Sequence, residues 1–341
     1  MGDRMSGSTS GRRNAGASEH GFAAKASTVS APSRIALVVV AILLGVAMTF
    51  VPRLPAQAAG IVRWETRVSD RILDIGISSP NLEGPEWSVK VVRLLLPPGW
   101  SKDADRTWPT IRVLHGGLDD HKSWTDKGNL EALTAGRNAI FVLPETSWCS
   151  AYSDWWNYGS WGAPAWEKYL LDDVRTILET SYRAGTTRAI AGNSMGGLGA
   201  MKFAAEYPTR FESAASFSGN VDPLEASGAR SEPDKPGQGC GADWKRVWGD
   251  YTIPDQRAIW EENNPYSRAA DLTGKPLFVS YGKGDAVESA VYEQNYRFVD
   301  RLQQLGAQVD ERYVPDQGHN WTTWQVQMQN ALPMLLSSVG A

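Results

Sequence analysis

The sequence is poor in cysteine and histidine. It contains two cysteines, Cys149 and Cys240, and four histidines in 341 residues. The histidines have no zinc-type spacing relative to cysteines or carboxylates, so no metal site is predicted. Two cysteines permit one disulfide in an exported chain but do not require it.

Basic charge and internal repeats are also lacking. The formal net charge is −4. Without residues 1–58, which hold six Lys/Arg and two Asp/Glu, 28 basic and 36 acidic residues would remain, a net charge of −8. A nucleic-acid-binding surface needs a basic stripe, so no nucleic-acid partner is predicted. The apolar content of 42% is ample for a packed core.

A long hydrophobic run occurs only near the N-terminus. Residues 1–34 are rich in Gly, Ser and Ala and carry five basic residues, and seventeen uncharged residues follow from Ile35 to Val51. An A-x-A site at Ala56-Gln57-Ala58 completes the pattern of a secretory signal peptide. We therefore interpret residues 1–58 as a cleaved leader and residues 59–341 as a catalytic domain that is secreted or held in the cell envelope. The alternative is an uncleaved anchor, because the run approaches the lower limit for a membrane span; the leader would then be the membrane contact.

After the leader, short apolar strands alternate with helices. Strands are predicted at residues 87–97, 110–117, 138–145, 187–193, 212–219, 275–282 and 307–315, and helices at 166–182, 195–208, 292–305 and 324–336. This alternation predicts an α/β fold, with a mostly parallel central sheet and helices on both faces, in a single domain. The polar, Gly/Pro-rich stretch at about 223–244 is predicted to be a surface insertion.

A nucleophile motif lies between one such strand and the next helix. Gly192-Asn193-Ser194-Met195-Gly196 fits G-x-S-x-G. In this setting the serine takes a strained strand-to-helix turn, and the flanking glycines are needed because side chains there would collide. The backbone N–H of Met195, at the start of the helix, then points toward a developing oxyanion. The alternative is a glycine turn that only packs a helix on a sheet.

A serine nucleophile needs a base and an acid, which on such a fold follow in the order Ser, acid, His. His319 is the only histidine after Ser194, and it lies in a loop after the last predicted strand. Asp285 and Glu288 both lie in the predicted loop after the strand that ends near residue 281, so the residues alone leave the acid open between these two.

A second oxyanion donor is expected upstream, where a predicted strand ends in His115-Gly116-Gly117. Paired glycines let backbone N–H groups face the site, and Gly117 is the predicted donor. His115 precedes the nucleophile, so it is predicted to shape this loop.

The chain resembles the esterase family that contains the esterase D-type hydrolases and the secreted mycolyltransferases of mycolic-acid bacteria. The motifs that carry the resemblance are AYSDWW, WEKYLLDDV, GNSMGG, VWGDY, WEENNP and the closing GHNWTTW, and it extends from about Val89 to Gly340. The resemblance implies an α/β-hydrolase fold, no cofactor, an acyl-enzyme on Ser194 and transfer of a long acyl chain from a glycolipid to a sugar hydroxyl.

The resemblance also bears on the acid. Mycolyltransferases use a Glu that matches Glu288, whereas simple esterases use an Asp that matches Asp285; we favour Glu288. The transferases often carry Asp and Arg in the loop where this chain has His115 and Leu118, and this difference is more typical of a simple esterase.

Aromatic and apolar side chains are available for the substrate. Trp321, Trp155 and Leu118 are predicted to contact it, with a place in the core as the alternative for any single tryptophan. Two functions remain as alternatives to acyl transfer. One is a carboxylesterase that releases free acid. The other is a non-catalytic carbohydrate-binding relative, which an intact Ser-acid-His set disfavours.

Overall fold

The computed structural model describes residues 60–84, 88–224 and 243–341. The predicted leader and most of the predicted insertion at 223–244 lie outside these residues. No helix within the described ranges combines the length and the apolar character that a membrane span requires. The same residues contain no cluster of three or more histidine, cysteine or acidic side chains able to hold a metal ion.

The described residues form one compact unit around a nine-stranded sheet. The strands are β1 (Ile61–Arg67), β2 (Ile72–Ser78), β3 (Val89–Leu95), β4 (Trp108–Leu114), β5 (Ile140–Pro144), β6 (Ala184–Asn193), β7 (Ala214–Phe217), β8 (Leu277–Gly282) and β9 (Val309–Val314). Their order across the sheet is β1-β2-β3-β5-β4-β6-β7-β8-β9. The pairs from β1 to β5 are antiparallel, and β5, β4, β6, β7, β8 and β9 run parallel.

The helices that the structure describes follow the strands. They are α1 (Ser123–Asp126), α2 (Leu130–Leu133), α3 (Trp166–Lys168), α4 (Arg175–Ser181), α5 (Met195–Glu206), α6 (Trp244–Trp248), α7 (Pro254–Asn263), α8 (Ala286–Gln304) and α9 (Trp321–Ser338). A π-helical turn, Tyr169–Val174, joins α3 to α4.

Strand β4 shows why the sheet is covered on both faces. Successive side chains of a strand point to opposite faces. Trp108 and Leu114 belong to one hydrophobic core, and Ile111 and Val113 belong to the other. The predicted α/β fold, with a mostly parallel central sheet covered on both faces, is therefore confirmed.

Helices α8 and α9 begin earlier than predicted, and strands β1 and β2 and helices α1, α2, α6 and α7 were not predicted. Strands β1 and β2 precede the first predicted strand; β1 is largely exposed, so its sequence lacks a clear apolar alternation. Helix α8 begins at Ala286, not near residue 292, because Asp285 caps its first turn. Helix α9 begins at Trp321, where Asn320 caps it.

Candidate active site

Ser194 stands on the tight turn between β6 and α5. Its backbone has φ 51° and ψ −119°, a conformation that residues other than glycine rarely adopt. A Cβ at Gly192 would lie 2.3 Å from the Gly196 carbonyl oxygen, and one at Gly196 would lie 2.4 Å from that of Leu114. The two glycines are therefore required by the close approach of backbone to backbone.

A hydrogen-bonded chain joins three side chains at the carboxyl ends of parallel strands. His319 Nε2 lies 3.0 Å from Ser194 Oγ, and His319 Nδ1 lies 2.9 Å from Glu288 Oε2. Ser194 follows β6, Glu288 lies in the helix after β8, and His319 follows β9. Open α/β sheets place their sites at this edge because the strands deliver side chains there together.

Glu288 is fully buried, and its two carboxylate oxygens are both occupied. Oε2 faces His319, while Oε1 accepts hydrogen bonds from the Gly282 N–H at 2.8 Å and from Gln317 Nε2 at 3.2 Å. A buried carboxylate needs such donors to offset the loss of water. The contacts hold the Glu288 side chain in one orientation.

Asp285, the other predicted acid, bonds to backbone groups instead. It accepts from the N–H of Glu288 at 2.8 Å and from the N–H of His319 at 2.6 Å. Burial alone would raise the pKa of Asp285, but these two donors outweigh it and lower the pKa. Glu288 rather than Asp285 contacts the His319 ring, and both lie in or next to the first turn of α8, not in a loop.

A polar network lies behind the histidine. Gln317 Nε2 also donates to Ser218 Oγ at 3.2 Å, as does Trp324 Nε1 at 3.2 Å, and Gln327 Nε2 donates to Gln317 Oε1 at 3.1 Å. The Trp324 ring meets His319 edge-on, with centroids 5.0 Å apart. The sequence patterns did not single out Ser218, Gln317 or Gln327. These residues are distant in the chain from Glu288, and only folding brings them into one hydrogen-bonded network with it.

The loop after β4 passes beside the serine. A Cβ at Gly116 would lie 3.5 Å from Ser194 Cβ. Within the described part of the chain, the backbone N–H groups of Gly117 and Met195 make no hydrogen bond. Neither donor is therefore occupied by a partner among the described residues. Leu118 follows in a left-handed conformation, φ 63°.

His115 holds this loop in place. Its Nδ1 lies 2.8 Å from the Gly116 carbonyl oxygen, and its Nε2 accepts the Thr146 N–H at 3.1 Å. Burial lowers the pKa of His115, so the neutral ring persists. The ring therefore connects this loop to the segment that follows β5.

The predicted substrate residues have three different environments. Trp155 is only 6% exposed, and its Nε1 donates to the Ser150 carbonyl at 3.1 Å. The structure thus gives it a place in the core and does not support a substrate contact. Trp321 is half-buried and meets Trp324 edge-on. Leu118 is 62% exposed.

A cavity of about 230 Å³ adjoins the loop after β4. Leu118 and Trp148, both exposed, form its apolar side. Its polar lining consists of Asp119, Asp120, Lys122, Ser123, Asp126 and Lys127. The ammonium group of Lys127 pairs with Asp119 at 2.9 Å and lies over the Trp321 ring, 5.7 Å from its centroid. Charged hydrogen-bonding groups and the exposed Trp148 side chain therefore share one recess. Cys149 is disulfide-bonded, and Cys240 lies outside the described residues.

A sequence-family model named Esterase ("Putative esterase") matches residues 84–335. Esterase Rv1288 of Mycobacterium tuberculosis is 36% identical over 133 residues, which are 38% of this chain and 28% of that protein. The matched segment is thus well under half of that relative. Diacylglycerol acyltransferase/mycolyltransferase Ag85A of Mycobacterium leprae is 28% identical over 255 residues, 68% of this chain and 76% of that protein.

Solved structures show the same fold at low identity. The S-formylglutathione hydrolase from Agrobacterium tumefaciens superimposes with a TM-score of 0.63 at 19% identity, covering 82% of this chain and 99% of that one. MPT51 (FbpC1) of Mycobacterium tuberculosis superimposes with a TM-score of 0.62 at 20% identity, covering 76% and 97%. These two likenesses concern the α/β-hydrolase fold alone, because function resides in sites rather than in folds.

Proposed function

Because this chain belongs to the Esterase family, we propose that it is a serine-dependent enzyme acting on acyl esters, with Ser194, His319 and Glu288 as its catalytic triad. The observation that carries the proposal is the unbroken chain of hydrogen bonds from Glu288 through His319 to Ser194. Nucleophile, base and orienting acid are the three parts that such chemistry needs.

The first half-reaction acylates the serine. Ser194 Oγ attacks the ester carbonyl while His319 Nε2 takes its proton, and Glu288 stabilises the imidazolium that forms. The N–H groups of Met195 and Gly117 receive the oxyanion, since both are free for a ligand among the described residues. Collapse of the intermediate expels the alcohol, which takes the proton from His319, and leaves an acyl-enzyme.

In the second half-reaction, His319 takes a proton from the acceptor hydroxyl, whose oxygen attacks the acyl carbonyl. The bond from the acyl carbon to Ser194 Oγ then breaks, and His319 returns the proton to the serine. We propose that the donor is a glycolipid and the acceptor a sugar hydroxyl. The relation to Ag85A over 68% of the chain supports this choice. The cavity beside Leu118 supports it as well, because it is lined by carboxylates and ammonium groups. Carboxylates accept hydrogen bonds from sugar hydroxyls, and ammonium groups donate hydrogen bonds to them. Such substrates suit an enzyme exported to the cell envelope, as the leader predicts.

The second candidate is a carboxylesterase, in which water is the acceptor. The observation that favours it is the higher identity to Esterase Rv1288, 36% against 28% for Ag85A, although over a shorter segment. The two functions share the acyl-enzyme and differ only in which nucleophile reaches it.

Product analysis separates these functions. The protein is incubated with a long-chain acyl-trehalose donor and a saturating sugar acceptor, and the products are identified by mass spectrometry, with Ser194→Ala as the control. Acylated acceptor in excess of free acid supports transfer. Free acid alone supports the carboxylesterase. If neither the wild type nor Ser194→Ala forms product above a protein-free blank, both functions are contradicted and the non-catalytic alternative remains.

A further inference from the structure

The carboxylate of Asp285, although exposed to solvent, makes hydrogen bonds to the backbones of two separate segments. We propose that Asp285 is a positioning residue whose single carboxylate ties the helix that carries Glu288 to the loop that carries His319. The inference rests on the proposed function, because it concerns the alignment of that triad.

Strands β8 and β9, and the loops that follow them, are paired by backbone hydrogen bonds up to Asp285. Strands β8 and β9 are parallel and in register to Gly282 and Val314. Beyond the strands, the Lys283 N–H donates to the Pro315 carbonyl at 3.1 Å, and the Gly284 N–H donates to the Gln317 carbonyl at 2.8 Å. The sheet ladder therefore continues into both loops.

Asp285 closes this ladder with its side chain. Its Oδ2 accepts the His319 N–H at 2.6 Å, and its Oδ1 accepts the Glu288 N–H at 2.8 Å, which caps α8. Because both oxygens belong to one planar carboxylate, the backbones of the acid and the base are held at a set separation. Hydrogen bonds to an ionised acceptor are among the stronger ones, and the lowered pKa of Asp285 keeps it ionised.

Two glycines allow the loops after β8 and β9 to approach each other closely. A Cβ at Gly284 would lie 2.4 Å from the Asp316 carbonyl oxygen, and one at Gly318 would lie 2.8 Å from Asp285 Oδ2. Side chains at these two positions would push the loops apart or displace the carboxylate. The spacing G-K-G-D on one loop and D-Q-G-H on the other is thus what a short bridge between them requires.

The test uses substitutions that separate capping from bridging. Asp285→Thr keeps an oxygen that caps helices but is one atom shorter, so it should not reach the His319 N–H. We expect a melting temperature within about 2 °C of wild type. We expect kcat for a p-nitrophenyl ester to fall about tenfold with KM unchanged, since small displacements of a catalytic group cost rate. Asp285→Ala should lower both kcat and the melting temperature.

Asp243→Ala is the matched control. Asp243 caps α6 by accepting the Lys245 N–H and has no described contact with the triad, so this variant should lose stability while kcat stays unchanged.

The outcomes are distinct. If Asp285→Thr and Asp285→Ala keep kcat within twofold of wild type while Ser194→Ala is inactive, the bridge is refuted and the proposed function stands. If Asp285→Asn abolishes turnover and Glu288→Gln is nearly silent, Asp285 is the acid, and the positioning role is also refuted. If Ser194→Ala retains activity, the proposed function itself fails.

Discussion

At the scale of single residues, the strain at Ser194 is the first feature to test. A serine with φ 51° persists only where its surroundings hold it. We expect Ser194→Ala to keep the fold but to lower kcat for a p-nitrophenyl ester by about 10⁴-fold or more, because only oxyanion and binding effects remain. Steady-state kinetics together with circular dichroism would check this. A folded variant with most of the wild-type rate would contradict the assignment.

The acid is the second residue to test. Glu288 is fully buried and bonded to His319, whereas Asp285 contacts only backbone N–H groups among its described partners. Glu288→Gln should lower kcat by about 10⁴-fold with little change in KM, since it disturbs the tautomer of His319. Asp285→Asn is the matched carboxylate control and should cost far less. The reverse ranking of the two variants would mean that the acid is misassigned.

At the scale of elements, the turn between β6 and α5 depends on backbone contact. Gly196→Ala would bring a Cβ within 2.4 Å of the Leu114 carbonyl on the neighbouring strand. Because neither backbone can yield easily, we expect a loss of about 1–3 kcal/mol in the free energy of unfolding. Urea titration would measure it. Gly274→Ala, where a Cβ would meet nothing within 4 Å, should change stability by less than about 0.5 kcal/mol. Equal effects would contradict the argument.

A second element-scale contact joins the end of β5 to the segment after the oxyanion loop. Glu145 pairs with His121 at 2.9 Å and with Lys90 at 3.2 Å. Burial alone would raise the pKa of Glu145, but the His121 hydrogen bond and the Lys90 charge lower it to about 2. A carboxylate whose folded pKa is depressed stabilises the fold above its unfolded pKa, near 4.3, and this contribution disappears as the pH falls toward 2.

The corresponding variant is Glu145→Gln. Its free energy of unfolding should lie furthest below that of wild type near neutral pH, and the difference should shrink between about pH 4.3 and pH 2. Denaturant titrations at pH 7 and pH 3 would measure this. Glu293→Gln, on the exposed side of α8, serves as the control and should show no such convergence. A difference that is independent of pH would argue that the ion pair contributes nothing.

At the scale of the whole molecule, the predicted leader would decide where the protein acts. We expect the secreted protein to begin near Ala59, because small residues at positions 56 and 58 suit a signal peptidase. N-terminal sequencing of the exported form would test this. A variant with leucine at both positions should keep its leader and stay with the membrane. Recovery of only full-length, membrane-bound wild-type protein would favour the anchor.

Much of the fold and part of the candidate site could be predicted from the sequence, because the signals for them lie in short stretches of the chain. Strand–helix alternation predicted the α/β fold with its mostly parallel sheet, since apolar periodicity reports which side of each element is buried. The family resemblance implied the α/β-hydrolase fold. The motifs predicted the Esterase family, and both predictions are confirmed. Ser194 and His319 could be named because the G-x-S-x-G turn and the chain order each depend on short stretches of sequence.

Other features were decided only by tertiary structure. Asp285 and Glu288 are three residues apart, and the sequence alone left open which of them meets His319. The pairing of the loops after β8 and β9 brings Asp285 to the backbone and Glu288 to the ring. The sequence also predicted a substrate contact for Trp155, with a place in the core as the alternative, and the structure buries this side chain in the core. The physical reason is the same in both cases: the direction of a side chain depends on neighbours that are distant in the chain, and only folding brings those neighbours together.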